Sequence, residues 1–500
     1  MGVRGKGLFQ KSLPLPHLPT KFDNTEKRAY NTPRRTNRRG GFFVKTEKSE
    51  LFESVPVGRA VIALALPTVV GQLITVIYNM ADTFFIGQLD SPAEVAAVQL
   101  AMPLFIFFNA IANLFGLGGA SLISRSLGEG DRDRARNTSA FCIWSAASIA
   151  LVYGAAIGIS RPVLLPLLGA SADSIGFCRS YVLWTIAVGA VPTVMNNVLA
   201  HMIRAEGYST VASFGVAGGG ILNMILDPIF IFGFNMHVTG AAVATLLSNI
   251  AASVFFMCFI LKKRGAVCAT LSPKYYTVGG GIPAEVVTVG LPSFMSASLA
   301  VISNMTLNRL MASDSDEAIA GMGIAKKIDM LAFAIAQGMT QGSLPLIGYN
   351  FTSGNRKRMN DAIKTTMLYC MIVSVTGAAL LIFGADAVTG LFIDDAVTVA
   401  YGAEFLKIIA IACITTAPGF MVITIFQATG CRIRPLILSL LRKGSIDIPL
   451  MLIFNAVLGT IGIAWAIPIA DAAALAASIS VFVPYYMKLK KEESVSVPRA

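Results

Sequence analysis

Twelve apolar runs, each about 20 to 30 residues long, follow one another along this 500-residue chain. A run of that length crosses a hydrocarbon core of ~30 Å as a helix. The runs occupy approximately 58–88, 95–126, 136–160, 176–205, 208–234, 238–262, 282–312, 317–350, 358–384, 399–429, 434–457 and 461–487. Apolar residues make up 55% of the chain and charged residues 14%. A soluble chain of this size needs roughly a quarter charged residues to stay dispersed. Gly and Pro recur inside the runs, as at Gly218-Gly219-Gly220 and Pro345, which membrane helices tolerate better than soluble ones. The expected fold is therefore all-α and integral to a membrane.

The runs are also written twice. Ala65-Leu66-Pro67 and Gly290-Leu291-Pro292 open equivalent spans, the prolines 225 residues apart. Gly130-Asp131-Arg132 matches Gly354-Asn355-Arg356 at an offset of 224, and Ala205-Glu206-Gly207 matches Ala428-Thr429-Gly430 at 223. Asp227-Pro228 falls opposite Ile448-Pro449. Landmarks that drift so little over the chain mark a duplicated bundle, and two-lobed symmetry is how many secondary transporters are built. The expected organisation is an N-terminal lobe over 56–265, a linker over 266–281, and a C-terminal lobe over 282–488.

The net charge of +12 invites a nucleic-acid reading, but its distribution argues against one. Basic residues gather at alternate loops: Arg132, Arg134 and Arg136; Arg204; Lys262, Lys263 and Arg264; Arg356, Lys357 and Arg358; Arg432 and Arg434. The intervening loops are acidic or neutral, with Asp90 and Glu94; Asp173; Asp314, Asp316 and Glu317; Asp394 and Asp395. Arg161 and Arg179 are the exceptions. The positive-inside rule places the basic loops, and both termini with them, in the cytoplasm. Residues 1–55, with Arg34-Arg35 and Arg38-Arg39, read as a disordered basic cytoplasmic tail able to touch anionic lipid, the alternative being a targeting or partner-binding arm. They lack the apolar core and cleavage site of a signal peptide. Residues 489–500, after Lys488, read as a second cytoplasmic tail, with Lys490 and Lys491.

Other chemistries find little support. Cys142, Cys178, Cys258, Cys370 and Cys413 fall in or beside apolar spans, where Cys acts as a small hydrophobe. No CxxC pair occurs, and His17, His201 and His237 are scattered, so no zinc site is expected. No phosphate-cradling G-x-x-x-x-G-K-[ST] loop is present, and Gly116-Leu117-Gly118-Gly119 lies within a span, where it reads as close helix packing. No cofactor is expected.

Ionisable residues inside spans are costly and mark function by default. Counting ~1.5 Å per residue puts Asp82, Asp227 and Thr245 at one level, roughly 10 Å below the outer surface. Asn223 stands one turn deeper than Asp227 on the same face, and Asn79 stands likewise to Asp82. Two carboxylates in a poorly solvated cavity cannot both stay ionised cheaply, and their hard oxygens suit H⁺ or Na⁺. The bland alternative is a pair of hydrogen-bonded aspartates tying helices together. Pro228 frees a backbone carbonyl and can kink its span, which makes it the expected hinge.

The segment from Pro67-Thr68 through Tyr78-Asn79-Met80-Ala81-Asp82-Thr83-Phe84-Phe85-Ile86-Gly87 resembles the first span of the MATE (multidrug and toxic compound extrusion) family. Gly119-Ala120-Ser121 with Ser126-Leu127-Gly128, Asn223 to Phe230, and Pro345 to Phe351 are similar to its other motifs, in the flavour of a bacterial MepA-like branch. The resemblance covers about residues 51 to 490. It implies twelve helices in two six-helix lobes around a central cavity, and drug export in antiport with Na⁺ or H⁺ from the bacterial cytoplasmic membrane. It also implies a coupling-ion site, with Na⁺ as one occupant, at Asp82, Asn223, Asp227 and Thr245, joined by Asn197 although the depth count puts Asn197 deeper.

One departure concerns the second lobe. Ser303-Asn304-Met305-Thr306-Leu307-Asn308-Arg309 and Pro418-Gly419-Phe420-Met421-Val422 lack the carboxylates of NorM-type members. Asp329, Asp447 and Asp471 fall near mid-depth instead. They either bind cationic substrates or are neutralised by Lys326, Lys327, Arg442 or Lys443; both readings stand at this stage. Asn79 and Gln341 complete the expected substrate-cavity set. The expected partners are drug-like cations and membrane lipid, with no nucleic acid, and the expected state is a monomer. The alternatives are a flippase for lipid-linked saccharides, whose cavity would carry many Arg and Lys, and a membrane-embedded transferase, which short basic loops cannot supply with a catalytic cluster.

Overall fold

The computed structural model describes residues 47–89, 91–311, 316–393 and 395–496. Residues 1–46 of the expected tail, and Asp90, Asp314 and Asp394 of the acidic loops, lie outside these, as do the side chains of Asp316, Lys443, Lys490 and Lys491.

Among the described residues every regular element is a helix, and the long ones number twelve. They are α1 (Val57–Gly87), α2 (Pro92–Glu129), α3 (Arg132–Leu167), α4 (Ile175–Val182, continued by Ala190–Ala205), α5 (Ser209–Pro228) and α6 (His237–Lys262). The second set is α7 (Ile282–Met311), α8 (Asp316–Thr352), α9 (Arg356–Phe383), α10 (Ala396–Ala428), α11 (Arg434–Leu440, continued by Asp447–Leu458) and α12 (Thr460–Ser496). Nine are long and apolar enough to cross a membrane singly, and α4 is a tenth when its halves, bent by 45°, count as one span. The remaining two are α8, which carries Lys326, Lys327 and Asp329, and α11, interrupted at Leu441–Ser445.

The repeated landmarks have a common cause. Gly130 and Gly354 end α2 and α8 at φ of 80° and 79°, the left-handed region where a Cβ is penalised. The next residue then starts a new helix with its side chain. Asp131 accepts from the Arg134 N–H at 2.9 Å and Asn355 from the Arg358 N–H at 3.1 Å. The sharp reversal between second and third spans is thus written identically in both halves.

Packing repeats as well. Helix α1 lies on α5 and α2 on α4, as α7 lies on α11 and α8 on α10. Across the lobes α1 packs on α8, and α2 on α7. Glycines set how closely these pairs approach. A Cβ on Gly338 would stand 2.5 Å from Val69 Cα, and one on Gly342 2.5 Å from Ala65 Cα; Gly118 and Gly290 leave no more room against Val286 O and Leu114 O. The seam lies toward the basic loops, where polar contacts join it. Ser121 Oγ donates to Gln427 O at 2.5 Å, Thr352 Oγ1 to Arg125 O at 2.6 Å, and Glu285 pairs with Arg134 at 2.7 Å and Arg125 at 3.3 Å.

The stretch 47–55, read from sequence as disordered tail, is ordered instead. Glu47–Glu53 forms a short helix whose Phe52 stacks on Tyr349 at 5.0 Å, while Arg358 donates to the carbonyls of Leu51, Phe52 and Val55. An apolar Leu51-Phe52 face with a satisfied C-terminus outweighs the polar composition upstream. At the other end α12 runs to Ser496, beyond the boundary expected at 488.

Candidate functional site: two polar centres, one in each lobe

In the first lobe, α5 brings Asn223 and Asp227 onto one face at a spacing of four. Asn223 Nδ2 donates to Asp227 Oδ1 at 3.0 Å and approaches Thr245 Oγ1 of α6 at 3.4 Å. Asp227 is completely buried and Asn223 nearly so. Asp82 of α1 lies within electrostatic range of Asp227, and Tyr78 and Tyr181 lie within electrostatic range of both carboxylates without donating to them. Asp82 Oδ1, Asn223 Oδ1 and Asp227 Oδ2 are buried acceptors for which the described residues supply no donor. Acceptor oxygens in excess of donors favour a proton or a hard cation.

Beside this group is a polar pocket of about 60 Å³ lined by Tyr78, Asn79, Asn197, Asn223 and Thr245. Asn197 lines the same pocket, on the half of α4 that follows the wide helical turn Leu183–Val188. Asn197 Nδ2 donates to Thr193 O at 3.2 Å, and Asn196 Nδ2 to Asn249 Oδ1 at 2.9 Å. Gly220 lets the Tyr78 ring lie on α5, since a Cβ there would meet Tyr78 Cδ1 at 2.7 Å. Pro228 ends the regular part of α5, which continues as a wide turn over Ile229–Gly233. Tyr78, Tyr181, Asn196 and Asn249 were not singled out from sequence, although Tyr78 adjoins Asn79 and polar side chains at this depth are themselves a signal.

In the second lobe a cavity of about 910 Å³ extends from mid-depth to the acidic ends of α7 and α8, with Met311 and Ile319 at its rim and Met339 deep within. Its acids are matched. Lys326 Nζ pairs with Asp329 at 3.2 Å. Arg442 engages Asp471 through Nε at 3.0 Å and Nη2 at 3.3 Å, while Thr416 Oγ1 donates to Asp471 at 2.6 Å. The Arg442 guanidinium also lies 4.1 Å over the Phe420 ring. Asp447 accepts from Ser303 Oγ. Of the two readings left open, neutralisation is the one this geometry favours for Asp329 and Asp471. Asp329 and Asp471 line the cavity; Asp447 and Gln341, expected there, do not. Gln341 is buried in the seam, accepting from Gln72 Nε2 of α1 at 3.3 Å, because the glycines flanking it on α8 draw that face against α1.

The model of the family described as MatE matches this chain twice, over residues 67–229 and 292–453. The chain belongs to the MatE family. The two matched stretches coincide with the two halves of the internal repeat. A MatE protein of Staphylococcus saprophyticus, "Multidrug export protein MepA", is 30% identical over 440 residues, which span 88% of this chain and 96% of that one. Its namesake from Staphylococcus aureus strain NCTC 8325 is 31% identical over 443 residues, with the same coverage. Among solved structures, an outward-facing MATE transporter superposes with a TM-score of 0.82 at 26% identity, covering 89% of this chain and 99% of that one. A MOP-superfamily transporter from Pyrococcus furiosus gives 0.81 at 26%, with equal coverage. The MatE chain is thus a multi-pass membrane protein with two pseudo-symmetric six-helix lobes, of the MepA-like kind.

Proposed function

We propose that this chain is a secondary multidrug exporter that moves amphipathic, drug-like small molecules, cations among them, in exchange for Na⁺ or H⁺. The observation that carries the reading is the buried Asn223–Asp227 pair beside Asp82, with three acceptor oxygens in need of a positive charge. With the basic loops in the cytoplasm, the sealed seam faces inward and the large cavity outward, as in one half of an alternating-access cycle. Both termini then lie inside the bacterial cytoplasmic membrane, and one chain encloses a complete pathway.

Na⁺ or H⁺ arriving from outside would neutralise the Asp82–Asp227 group. The helices that carry those residues, α1 and α5, pack closely on each other, through Gly71 against Ser213 and Gly220 against Tyr78. A change of charge between them alters their approach, and Pro228 with its wide turn gives α5 a place to bend. Helix α1 also forms one seam with the second lobe, so its shift is felt where the lobes meet. Each positive charge moved through the field releases ~2.3 kcal/mol per 100 mV, enough to bias the cycle.

The test is ethidium efflux from proteoliposomes under a Na⁺ or a pH gradient imposed separately. Efflux should follow one gradient and be lost in Asp227→Asn. Gradient-driven efflux that survives in the variant would remove the coupling role from the first lobe.

A further inference from the structure

The second-lobe cavity holds one charge that the export of cations does not explain. Its walls are largely apolar, with Met322, Met330, Phe333 and Ile467 among them. Two of its cations are matched, Lys326 by Asp329 and Arg442 by Asp471. Lys327 is not. It lines the same cavity and its side chain is exposed there. Among the described residues none forms an ion pair or hydrogen bond with it. Counting ~1.5 Å per residue from the start of α8 at Asp316, Lys327 sits roughly 16 Å in from the acidic end, farther than a lysine side chain reaches. An intramembrane cation without a partner is expensive to keep and marks a binding role. Asn304 and Asn308 of α7 line the same cavity with exposed amides, which can donate to an oxyanion.

The Asp329 and Asp471 carboxylates are already paired, so the Lys327 charge stands over and can meet a negative group on a guest. We infer that Lys327 binds the acidic group, a carboxylate or a phosphate, of an amphipathic substrate whose apolar body lies against the Met and Phe walls. Zwitterions and acidic amphiphiles are then substrates in their own right beside the cations of the export reading. The inference rests on that reading for the cavity's use in transport, but its binding step does not.

The test uses two dyes with one xanthene body, rhodamine B with its free carboxylate and rhodamine B ethyl ester without it. Equilibrium binding to the purified full-length chain is followed by fluorescence anisotropy, with no gradient present. Wild type should bind the acid about tenfold more tightly than the ester, the scale of one charge pair in a partly solvated site. Lys327→Ala should abolish that preference, and Lys327→Arg should keep it. Wild type that binds the acid selectively but drives no efflux under either gradient would sink the export reading and spare this one. Displacement of rhodamine B by dihexanoyl-phosphatidylglycerol from wild type but not from Lys327→Ala would support a lipid phosphate as the natural group; displacement by decanoate and not by the lipid would support a free carboxylate. Equal affinities for acid and ester in wild type, or a preference that persists in Lys327→Ala, would overturn the inference.

Discussion

Gly342 offers a direct test of the seal between the lobes. A Cβ at this position on α8 would stand 2.5 Å from Ala65 Cα, 2.8 Å from Leu64 O and 3.0 Å from Ala65 N. All three are backbone atoms, so no rotamer change relieves the clash. Carbon atoms rest at about 3.5–4.0 Å, so Gly342→Ala requires α1 and α8 to part by roughly 1 Å. Gly338 is pressed equally hard on Val69 a turn away, and the whole seam must yield together. Overpacking of this kind costs about 1–3 kcal/mol. At ~1.4 kcal/mol per tenfold, the sealed form should lose between about fivefold and 150-fold of its population advantage. The control is Gly218→Ala, where a Cβ meets nothing within 4 Å. The reporter is Ser121→Cys, fully buried in the seam, read by an impermeant maleimide over the native-cysteine background. Labelling should accelerate in the Gly342→Ala background and not in the Gly218→Ala background. Equal labelling rates and equal melting temperatures in the two would refute a seal that depends on glycine contact.

Two further outcomes are expected. Asp471→Asn should cost about 3–5 kcal/mol by stranding the buried Arg442 charge; the double variant Arg442→Met, Asp471→Leu should recover most of it, and a mild melting shift for Asp471→Asn alone would count against the pair. At the basic end, Glu206 caps the linker by accepting from the N–H groups of Cys268 at 2.7 Å and Ala269 at 2.6 Å, and burial pushes its carboxyl up to about 7. Because the folded value is the higher one, its contribution is complete below about pH 4.5 and is lost as the pH rises through 7. At ~1.4 kcal/mol per unit this amounts to about 3 kcal/mol. The melting temperature of wild type should therefore fall between pH 5 and 8 by more than that of Glu206→Gln; parallel profiles would contradict the assignment.

Much of this molecule was legible before any coordinate. Apolar length gave twelve helices, because a membrane leaves the backbone few other ways to satisfy its hydrogen bonds. The duplicated Gly-Asx reversals gave the two lobes, because a left-handed stop followed by a side-chain cap is a local device whose residues are adjacent in sequence. The Asn223–Asp227 pairing followed from a spacing of four on one helix. Contacts between distant helices were another matter. Counting residues along one helix could not show that Asn197 opens onto the same pocket as Asn223 and Thr245. Periodicity alone could not tell that Gln341 faces the seam while Lys327 faces the cavity. The partners of Asp329, Asp447 and Asp471 lay among several equivalent cations and hydroxyls on four helices, and only tertiary packing chose among them. Sequence determined which segments are helices and which charges lie in the membrane; the packing of helices within the second lobe decided which of its charges are matched, because those partners stand on different turns and different helices.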